Sequence, residues 1–305
     1  MSFKNSIKIL ISRFNLVWLM LLYLIVFGII IASLSLSFVV PIVKTLGDFG
    51  IFEQLKETIK LFMSQGSWSA LFDGLKAILD NIMDIYSNDS TIVINSALLI
   101  AVVLTFGARY LLGFYELPLI EAIEGRMSAN AKISFSYCMV SQFKNSLMFI
   151  FAKIIYTIIF DFVSFMIIAM VYWLLKSLKL IILIPFAIMF LIVLLNALRY
   201  SLKVYCAPAM VMEEGKTFKV FLKAFSESLS DFSRVFSNYL IAWLLAITLN
   251  GLVFLLTFGV GILVTVPLTV VFFSVLDMTL YYKKRGLRYY IDETNVTSIP
   301  QNNIQ

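Results

Sequence analysis

Six charged residues stand where their surroundings give them something to do. Asp161 lies inside a long apolar run, and Asp277 sits at the end of another. A lone carboxylate in hydrocarbon costs about 2.5–3.5 kcal/mol on insertion scales, so it must be protonated, hydrogen-bonded or paired. For Asp161 the polar groups in reach by sequence are Tyr156, Asn196, Thr248 and Asn250. Its two readings are a proton or cation relay and a polar clamp between helices. Asp277 precedes Lys283 and Lys284, which points to an interfacial ion pair. Arg109 and Arg199 each have a proline nine residues on (Pro118, Pro208) and a glutamate fifteen on (Glu124, Glu214). An arginine and a carboxylate in such a set can form a charge-assisted bond, within one segment or crosswise. The competing use is a site for a lipid headgroup or anionic substrate.

The chemistry that is missing narrows the field further. The chain has no histidine, which removes the commonest general base and metal ligand. Histidine-dependent triads, His-Glu-x-x-His zinc sites and a histidine-based phosphodiester site are all excluded. No Gly-x-x-x-x-Gly-Lys-Ser/Thr loop is present to cradle a nucleotide. No polar stretch is large enough for a soluble catalytic domain. The expectation is a protein that is not an enzyme, with no cofactor and no metal. Cys138 and Cys206 read as small apolar fillers.

The elements that hold these residues are membrane spans. Of 305 residues, 61% are apolar and 14% charged, against about 25% charged in soluble domains. Uncharged runs cover 14–43, 90–108, 180–198 and 235–276, and 154–175 carries only Asp161. The run 235–276 would be about 63 Å long as one helix, twice a ~30 Å hydrocarbon core. It therefore folds back, at Thr257-Phe258-Gly259-Val260-Gly261. The pattern predicts an all-α polytopic protein with six spans, near 16–43, 91–112, 147–175, 180–198, 238–258 and 262–281. The first apolar run is too long for a signal peptide and reads as a retained anchor.

Lys and Arg placement orients the spans. Eighteen of the basic residues fall in the N-terminus, 109–153, 199–234 and the tail, and six fall in 44–90 and 176–179. The first set reads as cytoplasmic, so both termini are expected there. The net charge of +6 is then a topology signal, and no nucleic-acid partner is implied.

The outer segment 44–90 shows helical periodicity. Leu71, Phe72, Leu75, Ile78, Leu79, Ile82, Met83 and Tyr86 share one face, and Ile51, Phe52, Leu55, Ile59 and Phe62 suggest a shorter helix before a break at Gly66-Ser67. Its readings are a cap over the spans or a docking surface for a protein partner. On the other side, 119–145 and 209–238 read as interfacial amphipathic helices that meet membrane lipids. The tail 291–305 is polar and expected to be disordered.

Residues 109–125 and 199–215 share seven identities in 17 ungapped positions: Arg, Tyr, Leu, Tyr, Pro, Glu and Gly. Phe135-Ser136 recurs as Phe225-Ser226 in the same ninety-residue register, and Lys144 aligns with Arg234. Both segments leave an apolar span in the same direction, so the pattern reads as a parallel internal repeat, an arrangement known in transporters.

The stretch Tyr205-Cys-Ala-Pro208 to Glu214-Gly215-Lys216, then Phe225-Ser226-Glu-Ser-Leu229, Ser233-Arg234-Val-Phe236 and Leu280-Tyr-Tyr-Lys-Lys-Arg285, resembles a group of bacterial multispan proteins. That group is related to the membrane domain of glycerophosphodiester phosphodiesterases. The resemblance covers about residues 100–290. It implies a bacterial inner-membrane location and no settled biochemical role. The resulting expectation is a non-catalytic protein that organises lipid or partner proteins; the alternative is a transporter or permease component with a pathway between the repeated halves.

Overall fold

The computed structural model describes residues 2–180, 183–213, 217–292 and 295–297. Along them run α1 (Ser2–Ser12), α2 (Asn15–Asp48), α3 (Ile51–Gln65), α4 (Trp68–Asn88) and α5 (Ser90–Leu98). A π-helical segment (Leu99–Ala108) leads into α6 (Arg109–Gly113), α7 (Glu116–Ala129), α8 (Phe135–Ser141) and α9 (Phe143–Ser177). The rest is α10 (Ile184–Ser201), α11 (Cys206–Met212), α12 (Thr217–Ser230), α13 (Phe232–Leu256) and α14 (Ile262–Arg285). Five stretches are long and apolar enough to cross a membrane: α2, α9, Ile184–Met212, α13 and α14. A sixth is counted only if α4 and Ser90–Val103, bent by 95°, make one span. The protein is thus an all-α, multi-pass membrane protein.

The chain divides into two compact units, one of residues 1–25 with 113–305 and one of residues 26–112. In the smaller unit, α3 and α4 pack as a hairpin. Gly66 ends α3 in the left-handed conformation (φ 62°), and Ser67 caps α4 through its hydroxyl, which accepts from the Ala70 N–H. A Cβ on Gly74 would lie 2.4 Å from the Thr58 methyl, so the helices cross there only because residue 74 has no side chain. Ile51, Ile78, Ile85 and Ile92 form the core. Phe72, Leu79 and Met83, on the face predicted to be apolar, stay exposed.

The larger unit is built around α14, whose membrane-length window is the most buried of the five. From Val271 to Tyr282 every residue is buried, so this helix is covered all round, as its apolar composition requires. The amphipathic α1 lies on it: Ser6 Oγ is 2.8 Å from Thr279 Oγ1, and Phe3 meets Phe272 edge to face. Helix α7 also packs on α14 and contributes Leu117, Leu119, Ile120 and Ile123 to the core. From 119 to 127 the helix is therefore mostly interior, where an interfacial position was expected; its apolar residues occur all round the helix, and only Ser128 and Ala129 at its end are exposed. By contrast α12 keeps Phe218, Leu222 and Leu229 exposed beside buried Val220 and Phe221, the two-sided pattern of an interfacial helix.

Helix α13 ends at Leu256 and α14 starts at Ile262. The five residues between turn with Phe258 (φ 51°) and Gly259 (φ 90°) in the left-handed region. At the C-terminus, where disorder was expected from 291, the described residues make backbone bonds, and residues 293–294 and 298–305 of that tail lie outside the described residues. The Thr297 N–H donates to the Tyr289 carbonyl at 2.9 Å, and the Tyr290 N–H donates to Met127 O at 2.8 Å. These backbone bonds hold a polar segment that has no apolar pattern of its own.

Candidate functional site

Two prolines shape the site. Pro118 is the third residue of α7 and Pro208 the third of α11. A proline in a continuous helix would clash with the carbonyl four residues back and lack its own donor. In the first turn of a new helix neither problem arises. The chain accordingly turns at 114–115 and again at 202–205 before restarting. Each restart is closed by an equivalent bond, Leu119 N–H to Tyr115 O (2.8 Å) and Ala209 N–H to Tyr205 O (3.0 Å). These turns place Glu116 at the head of α7 and Lys203 between α10 and α11.

Glu116, Lys203 and Lys153 of α9 meet in the interior of the larger unit. Lys153 Nζ donates to one Glu116 oxygen, and Lys203 Nζ donates to the other at 3.2 Å. Burial alone would push the Glu116 carboxyl up, but Lys153 and then Lys203 outweigh it and hold it at about 2. Lys203 also lies 4.6 Å from the centre of the Tyr200 ring, within cation–π range.

The three charges form one end of a cavity of about 280 Å³. Asp277 of α14 joins that end, buried and accepting a hydrogen bond from the Tyr239 hydroxyl. Tyr200, Trp243 and Phe273 make an aromatic wall, with Tyr200 and Phe273 stacked at 5.3 Å and Trp243 at 5.1 Å from Phe273. The indole N–H of Trp243 is buried with no hydrogen-bond partner among the described residues. At the other end stand Val266, Val270 and Asn250. Asn250 is held by α14, donating to Thr269 Oγ1 (3.0 Å) and accepting from Thr265 Oγ1 (2.6 Å). From Asp277 to Val266 is eleven residues of one helix, about 16 Å, or half a hydrocarbon core. Among the described residues no three carboxylate or thiol side chains gather to hold a metal ion. The site is thus a polar cleft with two ammonium groups, the Glu116 carboxylate, the Asp277 carboxyl group and an aromatic wall, suited to holding a small polar or charged group.

The residues singled out in the sequence are placed otherwise. Asp161 pairs with Arg199, Oδ1 to Nη1 at 3.1 Å, and the Tyr156 hydroxyl donates to the Arg199 carbonyl at 3.0 Å. Arg199 is therefore tied to Asp161 of α9 and not to Glu124, which accepts from the Tyr282 hydroxyl at 3.4 Å. Asn250, considered for Asp161, serves Thr265 and Thr269 instead. Asp277 pairs with Tyr239, while Lys284 pairs with Asp231 at 2.8 Å; burial put the carboxylate out of reach of its neighbours in sequence. Arg109 begins α6 in the smaller unit, and Glu214 lies outside the described residues.

A second charged network closes the end of α14. Glu213 binds Arg285, Lys223 (2.9 Å) and the Tyr281 hydroxyl (2.8 Å), and Arg285 reaches Glu227 at 3.0 Å. Tyr205 donates to Asp231 at 3.1 Å. Partial burial pushes both carboxyls up. The bonds from Lys223 and Tyr281 and the charge of Arg285 nevertheless hold Glu213 below the ordinary carboxylate range. Those from Lys284 and Tyr205 do the same for Asp231.

Sequence reasoning passed over Glu116, Lys153 and Lys203. The signal was available for Lys153, a charge eleven residues into an apolar helix, but it was counted with the flanking basic residues. Compared with known proteins, the chain matches no family model, no curated protein and no solved structure.

Proposed function

We propose that the protein is a non-catalytic component of a bacterial inner membrane that binds a lipid headgroup in the cleft beside α14. The carrying observation is the cleft itself, charged at Glu116, Lys153 and Lys203 with Asp277 beside them, and lined farther along α14 by Val266 and Val270 together with Asn250 and Thr269. An amphiphile has that polarity. The charge bias of the loops supports a cytoplasmic position for both termini, and under that reading the charged end of the cleft lies at the inner headgroup level. The α3–α4 hairpin lies outside under this reading. Its exposed Trp68, Phe72 and Met83 suit the outer interface or a protein partner. Kinship with the membrane domain of glycerophosphodiester phosphodiesterases belongs to the same proposal and rests on the motifs at 205–236 and 280–285.

Native mass spectrometry of protein purified in mild detergent tests it. One or two phospholipids should remain bound to wild type, and Lys153→Gln/Lys203→Gln should retain fewer. Equal and nonspecific lipid adducts on both would sink the headgroup reading. A transporter component is the second reading, favoured by the extent of the cleft to half the core depth. Solute flux into proteoliposomes that is lost in the same double variant would replace the first reading with it.

A further inference from the structure

We infer that the α3–α4 hairpin lies flat on the bilayer, with its apolar side sunk into the headgroup–acyl boundary of one leaflet. The angle at the end of α4 points there. Helix α4 and the stretch Ser90–Val103 meet at 95°, so when one arm crosses the membrane the other runs along its surface. The crossing arm is the second. It carries no charge from Ser90 to Ala108, whereas α4 holds Asp73, Lys76, Asp80 and Asp84, which hydrocarbon penalises. The corner between them is a built joint. Ile85 and Ile92 are buried on either side of it, and Ile42 and Leu46 of α2 pack against the same core. The Tyr86 hydroxyl and Ser96 Oγ lie 2.7 Å apart across the bend. Asp89 caps α5 by accepting from the Thr91 N–H at 2.8 Å. Because α2 is itself of membrane length, its end and the corner mark one membrane boundary.

The two sides of the hairpin are unlike. Phe52, Leu55 and Ile59 recur at helical spacing along α3, as do Trp68, Phe72 and Leu79 along α4, and all six are exposed. Both rows lie about a quarter-turn from the helix contact at Thr58 and Gly74, on the same side. There Phe62 meets Trp68 across the turn at 4.9 Å. On the other side Asn81 donates to Gln54 at 2.8 Å, and Glu53, Lys60, Asp73, Asp80 and Asp84 are exposed. Lys56, Lys76 and Met83 stand at the margin, where the lysines can snorkel. A flat apolar side backed by a charged one is the form of helices seated in an interface. The hairpin has five acids against three lysines, so no basic patch draws anionic headgroups and the hold is apolar.

Full-length protein reconstituted in phosphatidylcholine vesicles tests this placement. Single Phe72→Cys, Leu79→Cys, Asp73→Cys and Asp80→Cys variants are labelled with a fluorophore. All four positions are exposed, so the packing tolerates each label, and the native Cys138 and Cys206 are buried. Phosphatidylcholine with a nitroxide high on its acyl chain should quench the labels at 72 and 79 at least about threefold more than those at 73 and 80. Quenching by aqueous iodide should run the other way. Equal access of iodide to both sides, with no quenching by lipid, would mean that the hairpin stands off the membrane. Strong lipid quenching at all four positions would put α4 inside a bent span. Shielding of 72 and 79 from both quenchers would assign that side to a protein contact. Each of these three results overturns the inference, and none bears on headgroup binding in the cleft.

Discussion

The segments that begin at Arg109 and Arg199 share their frame and differ in their charges. Arginine, tyrosine, proline and the helix restart recur ninety residues apart, and α7 and α11 begin at 116 and 206. The cleft residues stand where the two differ. Glu116 corresponds to Cys206, Lys203 to Gly113, and Lys153 to Trp243. Asp161, which holds Arg199, corresponds to Gly251. What recurs sets where a helix stops and restarts, which is a backbone requirement. What diverges supplies the charges of the cleft, Glu116 from one segment and Lys203 from the other.

The largest effect should come from making the segments alike. Glu116→Cys removes the counter-ion of two partly buried lysines, and loss of one partner of a fully buried pair costs about 3–5 kcal/mol, which sets the upper bound here. A sharp fall in the yield of monodisperse protein and in thermal aggregation temperature is expected. Adding Lys203→Gly should recover part of it, because one orphan charge is removed. If the single variant is as stable as wild type, the charged cleft contributes nothing to the fold and the contrast between segments is incidental.

Next in size is the Asp161–Arg199 pair. Asp161→Leu leaves Arg199 without its carboxylate inside a span-length helix, so stability should drop. Asp161→Leu/Arg199→Leu should regain most of the loss, with a coupling of about 0.5–3 kcal/mol for contacting residues. Additive losses would mean that the bond does not hold α9 to α10, and Asp161 would then be open again to a relay role.

A smaller effect is expected on acidification. Glu213 and Asp231 are held below their unfolded values, about 4.3 and 3.9. A carboxylate with a depressed folded value stabilises fully above its unfolded value, and the contribution disappears as pH falls through the folded one. Thermal stability should be flat near neutrality and decline below about pH 4. Lys284→Ala, which removes one partner of Asp231, should make that decline shallower. An unchanged profile would show that another group governs acid sensitivity.

The smallest effect leaves the fold intact and tests direction. Val140→Cys and Leu229→Cys lie at exposed positions of the two segments, and Met83→Cys lies on α4. If the segments run parallel as read from the sequence, the first two should be labelled by an impermeant thiol reagent from the same, cytoplasmic side. Met83→Cys should be labelled from the other. The native Cys138 and Cys206 are buried and should stay silent, so they form a low background. Labelling of Val140→Cys and Leu229→Cys from opposite sides would break the parallel arrangement.

The uncharged runs alone determined that the chain is helical and crosses the membrane, because backbone polar groups in lipid must bond within their own segment. Local signals were equally legible: the turn at 257–261 from its glycines and the α3–α4 break from Gly66-Ser67. These depend on neighbours in sequence. Which charge meets which was not legible. Glu116 and Lys203 are 87 residues apart, and Asp161 and Arg199 are 38 apart; no periodicity encodes such pairs. Proximity in sequence pointed Asp277 toward Lys283 and Lys284, but α14 is enclosed and its carboxylate turns to Tyr239 on the facing helix. The reason is the same in each case. Apolar content and proline geometry act within a single helix turn, whereas the partner of a buried charge is whichever group the packed helices bring within hydrogen-bond reach.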